Sequence, residues 1–135
     1  MNNLRFATAL HILTLLSQQP EELLPSEYLA GSINVNAAVV RKEISNLRNH
    51  GFIQSKEGKG GGSMLAKPAS EILLSDIYQA VRQAAILGRN NAPNPACPVG
   101  KQINAHLEDL YSEAEANLIR SLSKKTLADF ARQFS

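Results

Sequence analysis

Apolar side chains recur at helical spacing over residues 4–17, so a first amphipathic helix is expected there, with Phe6, Leu10, Leu13 and Leu16 on its core face. Gln18, Gln19 and Pro20 end it. A short helix follows from Ser26 to Ala30, with Ser26 as candidate cap and Gly31 as the stop, because glycine adopts the positive φ that a helix end favours. After Ile33-Asn34-Val35-Asn36 the spacing predicts a longer helix from Ala37 to His50. Asn36 is its candidate N-cap, Val40, Ile44 and Leu47 face inward, and Gly51 takes the position just past its end. A short helix, a tight turn and a second helix make a helix-turn-helix pattern.

The period then changes from helical to strand-like. Phe52–Ser55 and Ser63–Ala66 are predicted strands, and Lys56-Glu57-Gly58-Lys59-Gly60-Gly61-Gly62 joins them. Two short strands around a glycine-rich loop read as a β-hairpin. A hairpin directly after a recognition helix is a wing. Beyond it the pattern is helical again. A helix is expected near 75–88 with Ile77, Val81, Ala84 and Ala85 inward, and a cap from Leu74-Ser75-Asp76. A loop rich in proline and asparagine runs from Gly88 to Gly100. A long helix over 101–121 and a final helix capped by Ser123, carrying Leu127, Phe130, Ala131 and Phe134, complete the chain. The expected fold is mainly α with a small β-hairpin: a winged helix-turn-helix over 1–88, a loop over 89–100, and dimerisation helices over 101–135.

Composition adds limits. The 135 residues suit one domain or one domain with a dimerisation element, and 44% apolar content supports a small core. Trp is absent and aromatics are 5%, so that core is mostly Leu, Ile, Val and Ala. The net charge of +2 is small, but its distribution is uneven. Residues 36–67 hold six basic side chains, Arg41, Lys42, Arg48, Lys56, Lys59 and Lys67, against Glu43 and Glu57, which leaves +4. Residues 71–135 carry seven of each sign. Local positive charge is the footprint of a nucleic-acid-binding surface. One cysteine, Cys97, excludes an internal disulfide and suits a reducing compartment. No signal peptide is recognised, and the longest apolar stretch, Phe6–Leu16, is too short and too polar to span a bilayer. A soluble, cytoplasmic protein that does not engage membranes is expected.

The candidate chemistry lies in the recognition helix and wing. A helix read against base edges needs a polar, low-bulk first turn, and Asn36, Ala37, Ala38, Arg41 and Lys42 supply one. Arg41 is the candidate for base readout or a central phosphate, since its guanidinium binds guanine or phosphate oxygens with two hydrogen bonds. Asn34, Asn36, Ser45 and Arg48 are further candidates for phosphate or base contact. In the wing, Lys56 and Lys59 add charge, and Gly60 and Gly61 let backbone amides approach a phosphate. Taken alone, the helix is equally a solvated face and the loop reads first as a flexible hairpin tip; their adjacency, with two lysines, favours DNA. The loop lacks the lysine after its final glycine that a phosphate-binding P-loop requires, and it leads into a strand.

The stretch from Leu47 through Gly51-Phe52-Ile53-Gln54-Ser55 and Gly58-Lys59-Gly60-Gly61-Gly62-Ser63-Met64-Leu65-Ala66 resembles the wing region of the Rrf2 family of bacterial regulators. Ile72-Leu73-Leu74-Ser75-Asp76-Ile77-Tyr78-Gln79-Ala80-Val81 resembles the segment that follows in that family. The similarity spans about residues 4–110. Relatives include an iron–sulfur cluster regulator, a nitric-oxide-sensitive repressor and a cysteine-metabolism repressor. The resemblance implies a homodimer held by the long C-terminal helix, binding a palindromic operator in double-stranded DNA and usually repressing. Cluster-bearing members use three cysteines in the loop before that helix; this chain has only Cys97 there, so no cluster and no cofactor are expected.

Cys97 is then either a thiol sensor, aided by the helix that follows and by Lys101, or an inert packed residue. Ile103, Leu107, Leu110, Tyr111, Ala114 and Leu118 give the long helix a broad apolar stripe, suited to a second copy. His11, His50 and His106 are scattered, with His11 read as a satisfied core residue, and no metal-ligand spacing or catalytic motif occurs. The expected function is a DNA-binding repressor, not an enzyme, with a small molecule, a thiol oxidant or an enzyme as candidate effector. The alternative is a protein-interaction module on the same fold that docks a metabolic enzyme.

Overall fold

The computed structural model describes residues 4–82 and 87–134. It is mostly helical with one two-stranded antiparallel hairpin. Helix α1, Arg5–Gln18, is the central element. Ala9, Ile12, Leu13 and Leu16 are fully buried and Leu10 nearly so, a wider apolar face than the single stripe expected. Phe6 is only half-buried and meets Tyr78 edge-on with centroids 6.2 Å apart. The buried Thr14 hydroxyl donates to the Leu10 carbonyl at 2.7 Å, so its burial leaves no unmet donor. Each buried Leu or Ile here is worth about 1.5–3 kcal/mol.

Helix α2 spans Ser26–Ile33 and α3 spans Ala37–Asn49. The expected stop at Gly31 does not occur. Helix α2 runs through it to Ile33, and Asn34, at φ 63° and ψ 50°, ends it. Asparagine tolerates the left-handed region, and Ile33 continues the apolar period onto the core. Nor does Ser26 cap α2: it is the first helical residue, and Pro25 precedes it in extended backbone. For α3 the expectations hold. The Asn36 side chain accepts from the Ala38 amide at 2.7 Å, Val40, Ile44 and Leu47 are buried, and Gly51 follows the His50 C-cap at φ 83°.

Strands β1, Ile53–Lys56, and β2, Gly62–Leu65, pair in the register Ile53↔Leu65, Gln54↔Met64, Ser55↔Ser63 and Lys56↔Gly62, one residue displaced from the expected bounds. Leu24 adds a third rung: it exchanges two backbone hydrogen bonds with Ser63, both 2.9 Å. The root of the wing is thereby fixed to the loop before α2.

After a single 3-10 turn, Ala69–Glu71, helix α4 runs Leu74–Val81. It is shorter than the helix expected to residue 88, because Arg82 is extended at ψ 146°. The expected inward Ala84 and Ala85 lie outside the described residues. Asp76 accepts from the Leu73 amide at 3.2 Å and caps the start. Helix α5 spans Ile103–Leu122. Helix α6, Leu127–Ala131, is capped by Thr126 and not by Ser123, whose hydroxyl donates to the Arg120 carbonyl. Thr126 Oγ1 accepts from the Asp129 amide at 3.0 Å, and Asp129 Oδ2 accepts from the Thr126 amide at 2.9 Å. That amide, with Arg132, holds the Asp129 carboxyl below its ordinary value.

Helix α6, expected with the dimerisation segment, instead returns to the N-terminal unit. Leu127 is fully buried in the common core, its amide donates to the Ile72 carbonyl at 2.7 Å, and the Leu74 amide donates to Lys125 at 2.9 Å. The winged-helix core is therefore closed by residues on both sides of α5. No helix among the described residues is long and apolar enough to cross a membrane.

Candidate nucleic-acid interface

The turn between α2 and α3 is three residues, Asn34 to Asn36. Both asparagines shape the backbone: Asn34 terminates α2 and Asn36 starts α3. Ala37 is half-buried against the core, whereas Ala38 is exposed beside Val39, itself 50% exposed. Arg41, Lys42 and Arg48 are exposed, and Ser45 is half-buried. Ala38, Arg41 or Lys42, Ser45 and Arg48 recur at three- and four-residue spacing, so they share the solvent side of α3. Val39 adds an exposed aliphatic side chain to this side that the residue pattern did not single out.

The other side of α3 carries an unexpected charge. Glu43 is 5% exposed and accepts from Arg5 Nε at 3.0 Å and Arg5 Nη2 at 3.3 Å. Asn46 Nδ2 donates to Glu43 Oε2 at 2.9 Å and to the Ala80 carbonyl at 3.0 Å. This cluster ties α3 to α1 and to the end of α4. It also means that Glu43 does not offset the basic residues facing solvent. Lys67, counted with the basic footprint, sits with its ammonium 5.5 Å from the Phe52 ring centroid. The charges presented outward are therefore Arg41, Lys42, Arg48, Lys56 and Lys59 against Glu57 and, from α2, Glu27.

A cleft of about 350 Å3 separates the start of α2, α3 and the wing. Arg41, Arg48 and Lys56 line it with Ser26, Ser55 and backbone of Gly58, Gly61 and Gly62. Arg41 Nη1 lies 3.9 Å from Glu27 Oε1, both well exposed, a contact that orients the guanidinium more than it stabilises the fold. Lys59 and Gly60 form the exposed tip of the wing. Gly61 and Gly62 answer an internal demand. A Cβ on Gly61 would lie 2.1 Å from the Lys56 carbonyl oxygen, and one on Gly62 2.6 Å from the Leu24 backbone. The glycines thus fold the hairpin tightly and seat it on Leu24, which presents Lys56 and Lys59 beside α3.

Helix α5 is different. None of its residues is buried. Ile103 and Leu110 are 36% and 57% exposed, Ala114 is exposed, and Leu107, Tyr111 and Leu118 are half-buried. Arg82 reaches it from the end of α4 and pairs with Glu115 at 2.7 Å, which holds the guanidinium above its ordinary value. Cys97 is exposed in the turn before α5. Hydrogen bonds from the Gly100 and Val99 amides, just ahead of α5, hold its thiol below the ordinary value. His11 is not core: it is half-buried, with Nε2 3.0 Å from the Ser32 hydroxyl.

Comparisons with known proteins agree with this architecture. The Rrf2 family, described as iron-dependent transcriptional regulators, matches residues 3–133. YwnA of Bacillus subtilis (strain 168) is 38% identical over 130 residues, covering 96% of this chain and 96% of that protein. Among solved structures, CymR (YrzC), the global cysteine regulator of B. subtilis, superposes with a TM-score of 0.73 at 20% identity, over 100% of this chain and 98% of that one. IscR of T. potens superposes with a TM-score of 0.72 at 16% identity, over 98% and 87%. The iron of the family description finds no matching donor set here. Among the described residues no three His, Cys, Asp or Glu side chains converge, and the single Cys97 stands alone in an exposed turn. An iron–sulfur cluster needs several protein ligands, so these residues do not fit one.

Proposed function

Because the chain belongs to the Rrf2 family of transcriptional regulators, we propose that it is a cytoplasmic repressor that binds a palindromic operator as a homodimer. One observation carries this reading: Arg41 and Arg48 on the exposed side of α3 and Lys56 of the wing line one cleft, with Lys59 exposed at the wing tip. In the bound state α3 enters the major groove, where Ala38 and Val39 meet base methyls and Arg41 binds guanine or phosphate. The wing places Lys56 and Lys59 on the flanking backbone. Two copies joined along α5 set their recognition helices about 34 Å apart, on successive major grooves of one DNA face.

The test is a gel shift with genomic fragments, including DNA upstream of the protein's own gene, over a salt series. A sequence-specific shift that weakens steeply with salt is expected, because bound phosphates release counterions. Absence of any fragment preference at micromolar protein would overturn the reading. Regulation through Cys97 belongs to the same proposal: its exposed thiol, held toward thiolate by two amides, reacts with oxidants. Diamide is expected to alter operator binding by the native chain and not by Cys97→Ser. A native chain indifferent to diamide removes the thiol from the scheme.

A further inference from the structure

We propose that the groove between α1, α2 and α6 is a binding site for a small, uncharged aromatic molecule bearing a single hydrogen-bonding group. The cavity measures about 490 Å3 and is distinct from the recognition cleft, with which it shares no lining residue. Small-molecule sites occupy roughly 300–1,000 Å3, are mostly apolar, and carry a few placed polar groups. Leu10 and Leu15 of α1, with Phe130 and Phe134 at α6, make the apolar walls. The two phenylalanine rings pack tilted at 56° with centroids 5.4 Å apart, an arrangement that a third ring extends. Phe134 is 53% exposed, so the site is open to solvent on that side.

The class of ligand follows from the charge and hydrogen-bond inventory of the lining. No Lys, Arg, Asp or Glu contributes to it, so a charged ligand would shed hydration without gaining a counter-charge. Two of its polar side chains are already engaged: the Thr14 hydroxyl donates to Leu10, and Gln18 Nε2 donates to the Ala131 carbonyl at 3.3 Å. The remaining pair, His11 Nε2 and the Ser32 hydroxyl at 3.0 Å, joins α1 to α2. An imidazole and a hydroxyl each donate or accept, so one ligand donor or acceptor can join or replace this bond. Ser32 stands two residues before Asn34, the turn from which α3 starts. Occupancy therefore bears on the helix that positions the recognition helix.

The probe is N-phenyl-1-naphthylamine, a neutral two-ring-system fluorophore with one N–H, titrated into the full chain without DNA, so the outcome stands apart from the gel shift. A saturating signal at one probe per chain is expected. Leu15→Asp and Phe134→Ala are each expected to weaken binding about tenfold, the effect of losing one apolar or aromatic wall. Phe134 is exposed, so Phe134→Ala tests the site even if Leu15→Asp disturbs α1. Ser32→Ala is expected to weaken this probe about threefold and leave 1-phenylnaphthalene, which lacks the N–H, unchanged. The sulfonated analogue, 1-anilinonaphthalene-8-sulfonate, is expected to bind at least about tenfold more weakly. Equal binding of the sulfonate, or full binding to Phe134→Ala, overturns the proposal. So does a change of oligomeric state in Phe134→Ala by sedimentation, which would assign the groove to a second copy of the chain.

Discussion

Helices α3 and α5 both turn a long side to solvent, and the two sides differ in kind. On α3 the inner side is complete: Val40, Ile44 and Leu47 are buried and Glu43 is neutralised by Arg5. Its outer side is Arg41, Lys42 and Arg48, groups that water already satisfies and that a polyanion satisfies better. Helix α5 has no buried residue along 20 positions, and its open stripe includes Ile103 and Leu110. Apolar surface left in water forgoes about 25 cal/mol per Å2, so α5 is completed only by another apolar surface. One helix is a finished element displaying charge, and the other carries an open apolar stripe that the proposed dimer would cover.

The strongest break of this comparison is on α5. Leu107→Asp with Leu110→Asp is expected to give a monomer by sedimentation while circular dichroism stays native. Operator affinity should then fall about 10²–10⁴-fold, the advantage of linking two half-sites. A persistent dimer would move the interface elsewhere. Next in size is the buried side of α3. Arg5→Leu leaves Glu43 without its guanidinium and is expected to cost about 3 kcal/mol, the low end for a broken buried pair because Arg5 is partly solvated. Adding Glu43→Leu should restore most of the denaturation midpoint. No recovery would mean that Asn46 and not the ion pair holds α3 in place. On the outer side, Arg41→Ala is expected to lose about tenfold in operator affinity, in line with one bidentate base contact, and less on nonspecific DNA. Lys59→Ala should weaken both about equally and reduce the salt slope by about 0.9. Equal behaviour of the two variants would remove the distinction between reading and positioning. The smallest effect concerns the turn before α5. Alkylation of Cys97 by iodoacetamide should reach its half-maximal rate below the ordinary thiol value of about 8.5, since the Gly100 and Val99 amides favour the thiolate. A midpoint at or above that value would contradict those hydrogen bonds.

The legible parts of this protein are those specified by neighbours in sequence. Asn36 before an apolar-periodic run, Gly51 after it, and glycines between two strand-like stretches are local signals, and each produced the expected element. The misread parts depend on distant partners. Glu43 counted as a surface acid because Arg5, 38 positions away, could not be assigned to it. Leu24 gave no strand signal, yet pairs with Ser63. Gly31 read as a helix stop because the apolar reach of Ile33 to the core was not visible locally. In the candidate site, Arg41, Arg48 and Lys56 are legible from residue type and do share a cleft, whereas Glu27, which orients Arg41, gives no local signal. Residue type suggested which side chains could meet DNA; tertiary packing decided that Ala37 turns partly inward and Lys67 lies over Phe52.

The return of Leu127 to the core has a consequence in time. During synthesis the segments for α1, both helices of the DNA-reading unit and the hairpin leave the ribosome long before α6 exists. Leu74 and Ile72 then have their backbone groups waiting for Lys125 and Leu127. Domains fold as units as they emerge, and an apolar core with one wall absent is exposed to misassembly. The DNA-reading unit therefore completes its fold only after the whole of α5 has been made, so no finished recognition surface precedes the helix through which copies would join.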